Sequence, residues 1–109
     1  MSYAASLVLL FLAAILEAGG DALMRLGIYS PTSRRFVFFL AGCLVLTTYG
    51  YTVNAPRWDF GRLLGVYVAF FFLVAQLIAY FTFGQRPSIS TLVGGLLILS
   101  GGLIVSLGK

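Results

Sequence analysis

Residues 68–81 read "VAFFFLVAQLIAYF", and the solvent that this run tolerates decides the fold. Its apolar side chains do not alternate with polar ones, as a barrel strand with one face to lipid and one to water would require. Wound as a helix, the run is apolar all round, which suits hydrocarbon and not water. Extended to about Gly61 and Phe83, it reaches the roughly 20 residues needed to cross a bilayer core of about 30 Å at about 1.5 Å per residue.

Three more segments have that character. The first runs from about Tyr3 to Ile28 and stops at "YSPTSRR" (29–35), where Pro31 and a polar run break it. The second begins near Phe36 and ends before "NAPRWD" (54–59). The fourth runs from about Ile89 to Leu107, is reached through "GQRPSIS" (84–90), and is closed by Gly108 and Lys109. The connections are short, so consecutive helices are expected to be antiparallel neighbours. The expectation is an all-α integral membrane protein, with one four-helix transmembrane domain over residues 1–109.

Composition agrees. The chain is 61% hydrophobic and 9% charged, against roughly a quarter charged in a soluble domain. "MSYAASLVLLFLAAILEAGG" (1–20) lacks the basic start of a secretory signal, and Glu17 falls where a neutral cleavage site would be expected. It reads as a retained first helix.

The net charge of +4 comes from Arg25, Arg34, Arg35, Arg57, Arg62, Arg86 and Lys109 against Glu17, Asp21 and Asp59. These cations are dispersed, and nucleic acid binding needs a clustered basic face; no nucleic-acid partner is expected. They mark helix ends at the lipid headgroups instead. One side of the membrane carries Arg34, Arg35 and Arg86, with Arg25 nearby. The other carries Arg57, Arg62 and Lys109. So even a balance gives almost no preferred orientation, which permits a dual-topology dimer.

Cys43 is the single cysteine and there is no histidine. Zinc, haem and histidine-based catalysis are therefore poor expectations. No Ser/His/Asp set and no phosphate-cradling loop is present, so an enzyme is not expected.

Charge inside the spans is the informative exception. "LEAGGDALMR" (16–25) sets Glu17, Asp21 and Arg25 at i, i+4 and i+8, along one helix face. An acid at mid-span costs roughly 2.5 to 3.5 kcal/mol to insert, and an intramembrane ionisable group is by default a functional site. Asp21 and Arg25 can offset each other as an acid-then-base couple, or Asp21 can face a cavity. Glu17 has no adjacent base and is the prime candidate for binding a proton or a cation. Ala13, Ala14 and Gly20 keep the same face slim, leaving room for a cavity or a close helix.

On the third helix, Tyr67 needs a partner for its hydroxyl, and a glutamate across a cavity would serve. Gly65 and Ala69 read as packing positions, Tyr3 and Trp58 as an interfacial aromatic belt, and Gln76 as a hydrogen-bonding group across a subunit contact or, alternatively, a lining residue of the pathway. Gly94, Gly95, Gly101 and Gly102 form a small-residue stripe on the fourth helix, a candidate subunit interface, with packing inside one subunit as the alternative.

The ordered motifs "E-x-x-G-x-x-x-M-R" (17–25), "FGQR" (83–86) and "GGLLILSGGLIV" (94–105) resemble those of the small multidrug resistance transporters, within the drug/metabolite transporter superfamily. Arginine replaces that family's usual lysine at Arg25. The resemblance spans nearly the whole chain. It implies an antiparallel homodimer of four-helix subunits in a bacterial-type plasma (inner) membrane, with the glutamates facing a shared cavity. Proton and cationic substrate would then exclude one another at Glu17, with Gly20, Asp21 and Tyr67 around it. The proton-motive force, not a cofactor, would drive efflux.

The chain departs from that pattern at Asp21, where a small residue such as threonine is usual. It departs again in "DFGRLLGVYVAF" (59–70), where Leu64 replaces a tyrosine, Arg62 is added, and Tyr67 stands for a tryptophan. An uncharacterised side branch therefore fits the residues too. So do two other functions: movement of a different metabolite or lipid-linked substrate, and a non-transporting partner subunit.

Overall fold

A computed structural model describes residues 1–108. Lys109, counted above among the cations of one side, lies outside the described residues. Four helices make up the fold: α1 (Tyr3–Ile28), α2 (Thr32–Val53), α3 (Phe60–Phe83) and α4 (Ile89–Leu107). The most apolar stretches of the four have mean hydropathies of 2.0, 1.7, 2.2 and 2.0, so each is long and apolar enough to cross a membrane. The protein is a multi-pass membrane protein.

Local chemistry sets the helix ends. The Ser2 hydroxyl accepts from the Ala5 amide (3.1 Å), and Ser88 does the same for Thr91 (3.1 Å). Both satisfy donors that a helix start leaves free. α3 closes on Gly84 at φ 64°, a left-handed conformation that glycine adopts without steric cost. Gly84 N then donates to the Tyr80 carbonyl and Gln85 N to that of Ala79.

α2 starts four residues earlier than expected, at Thr32 instead of near Phe36. Pro31 stops α1 but also opens α2. Its carbonyl accepts from the amides of Arg34 (3.0 Å) and Arg35 (3.2 Å), and its φ of −57° already matches a helix. Both arginines thus join the first turn of α2. Further along, the hydroxyls of Thr47, Thr48 and Thr52 each donate to the carbonyl four residues back, at 2.9 Å. Backbone carbonyls thereby satisfy hydroxyls that hydrocarbon cannot.

The helices lie in a row ordered α2, α1, α3, α4. α1 packs against α2 and α3, and α3 packs against α4. The expectation that consecutive helices are neighbours holds only weakly for α2 and α3, which pack mainly on α1 and meet each other through the Tyr49 and Tyr67 rings. The buried residues follow this order: Leu10, Ala13, Ala14 and Ala18 of α1 meet Leu63, Val66, Tyr67 and Val74 of α3. The molecule measures 50 × 34 × 18 Å, with a radius of gyration of 15.2 Å. A compact chain of this length would have about 13 Å. It is a thin slab with two broad faces.

One end of the slab is tied by polar and aromatic contacts. Tyr3 stacks on Trp58 (5.7 Å between centroids, 13° between planes), and its hydroxyl is hydrogen-bonded to Ser106 Oγ. The Arg62 guanidinium lies 4.6 Å from the Trp58 ring centroid and donates to the Ser106 carbonyl at 3.0 Å. Its Nε is buried without a hydrogen-bond partner, and the cation–π contact compensates. Tyr3 and Trp58, read as belt residues, thus also join the start of α1, the α2–α3 connection and the end of α4 on one side.

Candidate functional site

Where α1 meets α3, Ala13, Ala14 and Ala18 are buried. Their short side chains let the Tyr67 ring lie against α1. The Tyr67 hydroxyl donates to Glu17 Oε1 at 2.7 Å and also lies 3.4 Å from the Ala13 carbonyl oxygen. Tyr67 is 4% exposed, flanked by Tyr49 of α2 (centroids 5.7 Å apart) and Phe71 of α3 (6.1 Å). Glu17 itself is half-buried.

Among the described residues no carboxylate lies within 4.0 Å of a cationic side chain. Glu17 is therefore held by a phenol, not by a base. A phenol donates to a carboxylate oxygen and to the carbonyl oxygen of a neutral carboxyl alike. The acid can keep this contact whether or not it carries a proton.

Asp21 and Arg25, one and two turns further along α1, do not close on each other. The Arg25 guanidinium lies 5.5 Å from the Tyr29 ring centroid and 5.4 Å from that of Phe83. Both residues line a groove of about 250 Å³ between α1 and α3, together with Ala18, Phe71, Ala75 and Gln85. Asp21 is exposed at the edge of this groove and is not paired with Arg25.

Three relatives share this length and character, each described as a UPF0060 membrane protein. The Rhodococcus erythropolis protein is 34% identical over 102 residues, 93% of either chain. The Saccharopolyspora erythraea protein is 32% identical over 101 residues, 92% of this chain and 90% of that one. The Kineococcus radiotolerans protein is 34% identical over 97 residues, 88% and 86% of the two chains. This chain belongs to the UPF0060 family of membrane proteins. No family model matches it, and no solved structure matches it.

Two groups of glycines in this UPF0060 chain sit differently from expectation. Gly20, grouped above with Glu17, is buried against α2: a Cβ there would come 2.7 Å from the Leu46 side chain. Opposite it, a Cβ on Gly42 would come 3.3 Å from the Gly20 carbonyl oxygen. Gly20 thus serves the α1–α2 crossing and does not line the Glu17 site. The reason is angular: at i+3 from Glu17 it is turned toward the other neighbouring helix.

The glycine stripe of α4 divides in two. Gly95 and Gly102 face α3 within the same chain, where added Cβ atoms would meet Phe72 (2.4 Å) and the Ala69 Cβ (2.6 Å). They are therefore taken out of the candidate subunit interface. Gly94 and Gly101 have no such neighbour within 4 Å and remain open. Gln76 lies in an apolar groove between α3 and α4 with Phe72, Leu92 and Leu96.

Tyr49 went unread in the UPF0060 sequence. Its signal was a tyrosine four residues before the end of a span, whose hydroxyl needs a partner as that of Tyr67 does.

Proposed function

We propose that the protein is a proton-coupled antiporter that exports a small cationic or hydrophobic-cation substrate by alternating access, working as an antiparallel homodimer. One observation carries this reading. Glu17, an acid inside a membrane span, has the Tyr67 hydroxyl as its partner at 2.7 Å and no cation within 4.0 Å.

The sequence of events follows from charge. A carboxylate alone in hydrocarbon is costly, so Glu17 changes its exposure from one side to the other only when neutralised. A proton or a cationic substrate can neutralise it, and each displaces the other. Tyr67 holds Oε1 through both states and fixes where the exchange occurs. Asp21, in the adjoining groove, is a second acidic contact for the arriving cation. Energy comes from the proton gradient, and no cofactor is required.

A second copy completes the picture. A slab 18 Å thick encloses little of a solute pathway, and Glu17 is only half-covered. Gly94 and Gly101 leave the outer face of α4 smooth enough for close helix approach. Gln76, in the groove between α3 and α4, makes no side-chain hydrogen bond of its own and is available for a partner.

The test is transport into liposomes driven by a pH gradient, across a panel of guanidinium, quaternary ammonium and polyamine compounds. Substrate added to the weakly buffered, detergent-solubilised protein should release protons, and Glu17→Gln should abolish both release and transport. Full gradient-driven transport by Glu17→Gln would remove the exchange mechanism.

A further inference from the structure

The groove between α1 and α3 holds three polar side chains that the protein leaves without partners. Asp21, Arg25 and Gln85 line it, yet none makes a side-chain hydrogen bond or ion pair with another described residue. The other lining residues named above are alanines and Phe71, with Ile78 and Phe83. The Arg25 guanidinium is held over Tyr29 and Phe83. Ring faces engage the plane of the cation and leave its N–H edge free for an anion.

An acid and a base this close on one helix face ordinarily pair. Unpaired and exposed along the α1 side of the groove, they present one negative and one positive end to a ligand. Their offset is about 6 Å along the axis, four residues at about 1.5 Å each. That is the offset of the backbone positions, and a short molecule with an ammonium at one end and a carboxylate or phosphate at the other can engage both side chains.

Depth gives the ligand a direction. Asp21 lies seven residues before the end of α1 at Ile28, and Arg25 lies three. The anion-binding end is thus outermost and the ammonium-binding end is deeper. A phospholipid with an ethanolamine headgroup has the opposite order, because its phosphate lies below its ammonium. The order fits a water-borne molecule that enters from the loop side, amine first.

We propose that this groove is a binding site for a small soluble zwitterion, with its ammonium on Asp21 and its carboxylate or phosphate on Arg25 and Gln85. The site is distinct from Glu17 and stands whether or not Glu17 exchanges protons.

Calorimetric titration of the detergent-solubilised, lipid-depleted protein tests this with β-alanine and phosphoethanolamine. Ethanolamine and inorganic phosphate serve as probes carrying one end each. Both zwitterions should bind, and each single-ended probe should bind roughly tenfold or more weakly, the effect of losing one charge-assisted contact. Asp21→Asn should reduce phosphoethanolamine to the level of phosphate, and Arg25→Gln should reduce it to that of ethanolamine. Arg25→Lys should recover part of the loss. Asp21 and Gln85 make no side-chain hydrogen bond in the fold, and Arg25 contacts only the Tyr29 and Phe83 rings, so helix content by circular dichroism should stay unchanged.

Glu17→Gln should leave zwitterion binding intact. Its loss there would place the ligand at Glu17 and overturn the assignment. Equal binding of single-ended probes and zwitterions, or no binding at all, would overturn it too. In nanodiscs, soluble zwitterions should bind equally in phosphatidylethanolamine and phosphatidylglycerol. Exclusion by phosphatidylethanolamine alone would assign the groove to a lipid headgroup, against the proposal.

Discussion

Tyr67 fixes Glu17 from the neighbouring helix, and this bond can be removed without disturbing the packing around it. Tyr67→Phe keeps the ring between Tyr49 and Phe71 and deletes the donor. Hydrogen bonds between membrane helices average about 0.6 kcal/mol and reach about 1.7, so thermal stability in detergent should change little. Substrate-driven proton release should fall severalfold, because the carboxyl is no longer held in one place. Unchanged release in a stable Tyr67→Phe protein would mean that the phenol only packs. Sequence reading reached Glu17 and Tyr67 because buried charge and a buried phenol both demand partners, and the structure pairs them. It did not place Gly20 or bring in Tyr49. A glycine carries no polar demand, and the helix it faces depends on a rotation that spacing along one helix leaves open.

At the level of the helices, α4 carries two kinds of glycine. Gly102→Ala would bring its Cβ to 2.6 Å from the Ala69 Cβ, which has no rotamer to escape through, so α3 and α4 must separate. Overpacking of that kind costs about 1–3 kcal/mol, visible as a lowered thermal midpoint in detergent. Gly101→Ala meets nothing within 4 Å. It should leave the isolated chain as stable or stabilise it, since alanine is favoured over glycine in a helix by roughly 0.5–1 kcal/mol. Gly101→Leu should instead weaken self-association, measured by crosslinking in membranes, if α4 docks on a second copy through that face. The end of α1 and both limits of α4 were legible because Pro31 with its polar run closes the one, and "GQRPSIS" and Gly108 bracket the other. The start of α2 was not, because Pro31 was read as a breaker alone. A proline also begins helices well, and Thr32 to Arg35 are polar residues that a helix accepts at the headgroup level.

The whole molecule is a row, and the row order was hidden from the sequence for a plain reason. Connection lengths tell which helices are joined, but not on which side of the first pair the third one settles. The α1–α3 contact was decided by small residues, Ala13, Ala14 and Ala18, facing the large Tyr67. Four spans and near-equal charge on the two sides, by contrast, could be read directly. That balance should leave orientation adjustable. A reporter fused after Lys109 should register both orientations in cells, and two arginines added after Ser2 should drive it mostly to the cytoplasmic side. A single fixed orientation in every charge variant would exclude the antiparallel pairing proposed above. Because Glu17 and Tyr67 belong to the same polypeptide, each copy carries its own carboxyl already seated. Cells co-expressing intact and Glu17→Gln chains should therefore lose export in a graded manner with gene dosage, each remaining intact copy still holding a usable acid.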